Sequence, residues 1–163
     1  MNMYFLLKIL LAFHIMGFVI MAGTTTIDYF TFSTFWKFAD RGDNSGALGL
    51  LPLMARYGAF VRTGAIIILI TGITMLTLVN GNWWDQRWFR VKMVLVMLLI
   101  TNGMFVGNKQ GNKLRSLITA SPTNFLSQTI SVRETLQWFY LAQLILFFLI
   151  ILVSVVRPDK LPN

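Results

Sequence analysis

The chain has 163 residues, 56% of them hydrophobic and 12% charged, with 14 Lys and Arg against 6 Asp and Glu for a formal net charge of +8. An ordinary soluble domain carries about 25% charged residues, so this chain lacks the polar surface to coat a water-soluble globule, and its basic residues, scattered singly between apolar runs without a nucleic-acid-binding motif, read as the flanks of membrane spans rather than as a nucleic-acid footprint. It contains no Cys, which excludes disulfides, thiolate metal sites, thiol nucleophiles and iron–sulfur clusters.

A helix needs about 20 residues to cross a hydrocarbon core of about 30 Å. Four runs qualify and predict an all-α integral membrane four-helix bundle in a single transmembrane domain, with spans at about residues 4–24, 60–82, 88–108 and 132–156. In the first, Lys8 sits where its stem snorkels to the interface, and between Ile9 and Ile27 the only titratable group is His14. A secretory signal peptide is the rival reading of this run, with Lys8 before an apolar stretch and small residues at Ala22 and Gly23; we read it as a membrane helix.

From Phe30 to Ser45 the sequence predicts a surface loop turning at Asp40-Arg41-Gly42-Asp43. The stretch Gly46 to Arg62 is apolar but broken by Pro52, Arg56 and Arg62, which predicts an interfacial or re-entrant approach to the second span. Trp83, Trp84 and Trp88 cluster at the turn before the third span and mark one membrane face as an aromatic belt. Ser131 and Glu134 have the spacing of a capping box at the start of the fourth helix, and Arg157-Pro158-Asp159 ends it. Eight basic residues flank the first and third connections and six the other side, which assigns those connections to the cytoplasm and both termini to the outside.

Polar groups at membrane depth are costly and usually face the bundle interior. His14 is the main candidate, about 15 Å along the first helix at about 1.5 Å per residue. Gly17 follows one turn later on the same face, and its missing side chain leaves room for a large flat ligand. An imidazole in an apolar bundle is a ligand for haem iron or copper; Lys92 and Lys8 are the basic groups within reach of the propionates of a porphyrin hung on His14. The structural alternative is equally concrete, because His14 can hydrogen-bond across helices to Asn102, Thr71 or Thr101, Lys92 can simply snorkel, and Gly64, Gly72 and Gly103 can allow close helix packing. Arg56 and Arg62 read as interfacial anchors or lipid-phosphate partners. Paired carboxylates, a nucleophilic triad, HExxH, a P-loop and GxGxxG are absent from the sequence, so hydrolysis and phosphoryl transfer have no support.

Three segments carry a family resemblance. KILLAFHIMGFVIMAG in the first helix, ARYGAFVRTGAIIILITGITML through the second and WFRVKMVLVMLLITNGMFVGNK in the third resemble the HemJ-type membrane protoporphyrinogen oxidases and their CopD-type relatives, over about residues 5 to 116. The family pattern of a first-helix His followed by Gly, a basic lead-in to helix two, and a Trp shortly before a Lys in helix three falls on His14, Gly17, Arg56 or Arg62, Trp88 and Lys92. The resemblance implies haem b with His14 as axial ligand and Lys92 as a functional basic group, in a bacterial inner (cytoplasmic) membrane. The chain departs from the family in reading Thr101-Asn102-Gly103 where another His tends to stand, and in displacing the basic residue that precedes the first-helix His to Lys8.

With one His, a bis-His haem cannot form within one protomer. A second axial ligand is then Met16, Met21 or another Met, water, or His14 of a two-fold partner. Neighbouring Met residues together with the CopD-type likeness also leave Cu(I) open. Two classes of function follow. One is a haem-binding membrane redox protein acting in porphyrin oxidation or electron transfer; the other is a cofactor-free accessory subunit of a membrane complex, in which His14 packs.

Overall fold

The computed structural model describes residues 2–79, 82–120 and 125–156. They form helices α1 (Met3–Asp40), α2 (Asn44–Leu78), α3 (Arg87–Thr101), α4 (Lys109–Ala120) and α5 (Phe125–Val156), with a short 3-10 turn at Asn82–Asp85 and a π-helical segment at Asn102–Asn108 that joins α3 to α4 in one rod. Four helical rods are long and apolar enough to cross a bilayer, and no strand occurs among the described residues. The protein is an all-α integral membrane four-helix bundle.

The rods are longer than the spans read from the sequence. Helix α1 has 38 residues, about 57 Å at about 1.5 Å per residue, against a hydrocarbon core of about 30 Å. The expected loop from Phe30 to Ser45 is therefore corrected to three residues, Arg41 to Asp43, between two helices. The reason lies in the spacing of Phe32, Phe35, Trp36 and Ala39, which stand at i, i+3, i+4 and i+7 and form a buried stripe. Gly42 makes the turn at φ 76°, where L side chains are strained. Asp43 then caps α2, its carboxylate accepting from the Gly46 N–H and the Ser45 hydroxyl, both at 2.9 Å, and these two donors hold its carboxyl below the usual range.

The interfacial or re-entrant reading of Gly46 to Arg62 is likewise corrected, since α2 runs continuously through Pro52. Pro52 removes one backbone donor, but Ala47 and Met54 on either side of it are buried against α1 and α5 partners, and that packing outweighs the lost bond. The capping box at Ser131 is not formed: α5 starts at Phe125, and the Ser131 carbonyl already accepts from Thr135 Oγ1 at 2.8 Å inside the helix. The Arg157-Pro158-Asp159 stop lies outside the described residues.

Two cores divide the bundle along its length. One comprises Phe32, Phe35, Trp36, Ala39, Ala47, Met54, Leu114, Ile118, Val132, Leu136 and Tyr140; Phe35 and Ala47 are fully buried. Because α1, α2, α4 and α5 carry this core beyond the length a bilayer needs, we call it the distal bundle. The other core, around Met21, Leu99, Phe147 and Ile150, belongs to the membrane half. There Phe13, Ile15, Val19, Ile66, Ile70 and Val94 remain exposed, as lipid requires: hydrocarbon is as apolar as the side chains, so nothing drives them inward.

Helix α1 pairs with α2 along its length, and the rod of α3 and α4 packs on α5. The two hairpins are joined through α1 and α5. The Tyr140 hydroxyl donates to Asp28 Oδ2 at 2.8 Å, Arg133 bonds both carboxylate oxygens of Asp40 at 3.0 Å, and the Arg133 guanidinium lies 4.8 Å from the Trp36 ring centre. The π-helical segment has a local cause. It lets the Asn102 amide donate to Gln143 Oε1 at 2.8 Å and to the Phe139 carbonyl at 3.3 Å, and it seats Gly107 so closely on the Phe139 ring that a Cβ there would stand 2.7 Å from it.

Candidate ligand site at His14

The antiparallel pairing of α1 with α2 puts His14 beside Thr71 and Gly72. Gly17 and Gly64 create this closeness: a Cβ on Gly64 would lie 2.7 Å from the Gly17 carbonyl oxygen, and one on Gly17 would lie 2.9 Å from Ile67 Cγ2. The room beside Gly17 is therefore filled by α2, and Gly17 serves helix contact. Gly72 plays the corresponding part under the imidazole, where a Cβ would come 3.3 Å from His14 Cε1.

His14 Nδ1 lies 2.9 Å from Thr71 Oγ1. Thr71 has one hydroxyl proton, and the Ile67 carbonyl, 2.6 Å away, takes it. With its proton so placed, the threonine oxygen can accept from Nδ1, an arrangement that suits the tautomer protonated at Nδ1; the Ile68 carbonyl also stands within reach of the ring. A neutral imidazole protonated at Nδ1 presents a bare lone pair at Nε2. Metal-ligating histidines are oriented in this way, with the second nitrogen tied to an oxygen acceptor that fixes tautomer and ring plane.

Lys92 of α3 stands close enough for its ammonium to interact electrostatically with the imidazole. Helix α3 thus brings Lys92 to the same part of the bundle as His14. Lys8 is directed elsewhere, with its Nζ 4.5 Å from the Tyr4 ring centre. Of the three hydrogen-bond partners expected for His14, Thr71 is the one used; Thr101 bonds back to the Met97 carbonyl at 2.8 Å, and Asn102 is held by Gln143. Trp88 is buried in a ring cluster, with Trp83 at 6.5 Å and Phe89 at 5.7 Å between ring centres, and its indole N–H donates to Gln86. Arg56 and Arg62 are exposed on α2.

Neither methionine singled out beside His14 can share an iron with it. Met16 is two residues on, about 200° around the helix, and Met21 is about 10 Å along it. Among the described residues no group of three His, Cys, Asp or Glu is brought together. Gly72 is the participant that the sequence reading assigned only to helix packing. Its signal was present as a Thr-Gly pair that offers an acceptor and a gap to one imidazole. Compared with protein-family profiles, curated proteins and solved structures, the chain matches none of them.

Proposed function

We propose that this integral membrane protein binds haem b through Nε2 of His14 and acts in porphyrin oxidation or electron transfer in a bacterial cytoplasmic membrane. The observation that supports this reading is the contact of His14 Nδ1 with Thr71 Oγ1 at 2.9 Å, beside an Ile67 carbonyl that takes the threonine proton: protonated at Nδ1, the imidazole keeps Nε2 as a ligand atom. The donor chemistry fits a single axial ligand. Bound haem would supply one-electron redox chemistry. The residues of the chain would do the rest: Thr71 and Gly72 hold the imidazole plane, Lys92 supplies a cation for a propionate, and the apolar helices exclude water.

The test is a visible spectrum of detergent-purified protein, oxidised and dithionite-reduced, expressed with haem supplied. A Soret band with reduced α and β bands should be lost in His14→Ala and shifted in Thr71→Val. Colourless wild-type protein would sink the proposal. One observation favours a second reading, a cofactor-free accessory subunit: the seam at Gly17 and Gly64 is closed, and a hydrogen bond across it is itself a sufficient use for His14. That reading expects no colour and only a stability loss in His14→Ala.

A further inference from the structure

The lipid-facing side of α3 carries a groove of about 500 Å³. Met93, Val94, Met97 and Leu98 line it, with Trp84 and Arg90 at one end and Thr101 at the other. The α3 positions fall at i, i+3, i+4, i+7, i+8 and i+11 from Arg90, so they form one stripe along the helix axis. From Arg90 to Thr101 the stripe runs about 16 Å at about 1.5 Å per residue, half of a hydrocarbon core of about 30 Å. That is the depth of one leaflet.

The two ends differ chemically. At the deep end Thr101 offers no open donor, because its hydroxyl is bonded to the Met97 carbonyl. At the shallow end Arg90 is exposed and pairs with no carboxylate among the described residues. Arg87 lies one turn before it and is exposed too. The Trp84 ring, braced edge-on against Phe89 at 5.3 Å, is 48% exposed and stands beside Arg90 at the depth where indoles meet headgroups. The groove therefore has a cationic, aromatic head and an apolar tail.

We propose that this groove holds one anionic phospholipid, its phosphate on the Arg90 guanidinium and one acyl chain along Val94, Met97 and Leu98. Charge complementarity selects this occupant. The guanidinium fork matches phosphate oxygens in paired hydrogen bonds, and the apolar wall accepts a chain but no second polar group. The site involves neither His14 nor any bound cofactor.

The test uses the full-length protein, exchanged into nanodiscs of equal phosphatidylglycerol and phosphatidylcholine and released for native mass spectrometry. Wild type should retain one phosphatidylglycerol with a preference of about tenfold. Arg90→Gln should lose that preference while keeping its far-UV circular dichroism, and Met97→Trp, which fills the groove, should reduce retention of both lipids. Arg41→Gln, in the turn between α1 and α2, should behave as wild type. Equal retention of the two lipids by wild type, or an unchanged preference in Arg90→Gln, would overturn the proposal. So would a wild-type dimer that Met97→Trp abolishes, because the face would then belong to a second copy.

Discussion

Replacing Gly64 with Ala places a methyl carbon 2.7 Å from the Gly17 carbonyl oxygen and 2.9 Å from the Met21 amide nitrogen. Both are backbone atoms of α1, so no side-chain rotation relieves the clash. Restoring an ordinary contact of about 3.4 Å parts the helices by about 0.7 Å. The bond from His14 Nδ1 to Thr71 Oγ1, 2.9 Å long, lies on the same seam, and an opening of that size carries it past the roughly 3.2 Å of a good hydrogen bond. Overpacking costs about 1–3 kcal/mol and the interhelical bond about 0.6 kcal/mol, so Gly64→Ala should lose about 2–3 kcal/mol. Unfolding in mixed micelles of rising SDS fraction, followed by far-UV circular dichroism, measures it. Gly49→Ala is the control: nothing lies within 4 Å of its Cβ, and it should gain up to about 1 kcal/mol from helix propensity. A Gly64→Ala protein within about 0.5 kcal/mol of wild type would refute the close contact and the fixed imidazole with it.

In the distal bundle, Phe35→Ala should cost about 3–5 kcal/mol by the same unfolding assay, since Phe35 is fully buried; Phe13→Ala, on a side chain that is 50% exposed in the membrane half, should cost less than about 1 kcal/mol. Equal losses would show that the two cores do not differ in solvent. A double-mutant cycle on Asp40→Asn and Arg133→Gln should give a coupling of no more than about 1 kcal/mol, because the pair is 49% and 33% exposed and screened by water. Protonating Asp43 removes the acceptor that its lowered pKa reflects, so its contribution is present above the unfolded pKa and fades as pH falls through the folded one. The protection factor of the Gly46 amide, its exchange relative to an unstructured peptide at the same pH, should fall over that acidic window in wild type and show no such step in Asp43→Asn.

The class of fold was legible because membrane spans advertise themselves: four apolar runs with basic flanks have few other uses. Helix lengths were not, and the reason is physical. A hydropathy reading ends a helix where charge begins, at Asp28 or Arg62, whereas the chain stays helical for as long as one face finds a partner. The stripe Phe32, Phe35, Trp36 and Ala39 carried that information in its 3.6-residue period, and so did Ala47 with Met54 across Pro52. The Ser131 to Glu134 capping box misled because the motif is local, and α5 had already begun at Phe125. At the site, His14, Thr71 and Lys92 were identifiable as rare polar groups in apolar helices. The meaning of Gly17 was not, because a missing side chain is either a vacancy or a contact, and the register of α1 on α2 decides between them.

The distal bundle also constrains when the protein can finish folding. Asp40 waits for Arg133, 93 positions later, and Asp28 for Tyr140, 112 positions later. Val132, Leu136 and Tyr140 of α5 complete the core that α1 begins. A ribosome that has made only α1 and α2 has therefore released a hairpin in which Phe32, Phe35 and Trp36 still lack the α5 side chains that complete their core. Nascent chains arrested before α5 should bind chaperones and be cut by protease near these residues, and chains that include α5 should resist. Completion of the last helix thus closes the aromatic core that the first helix opens.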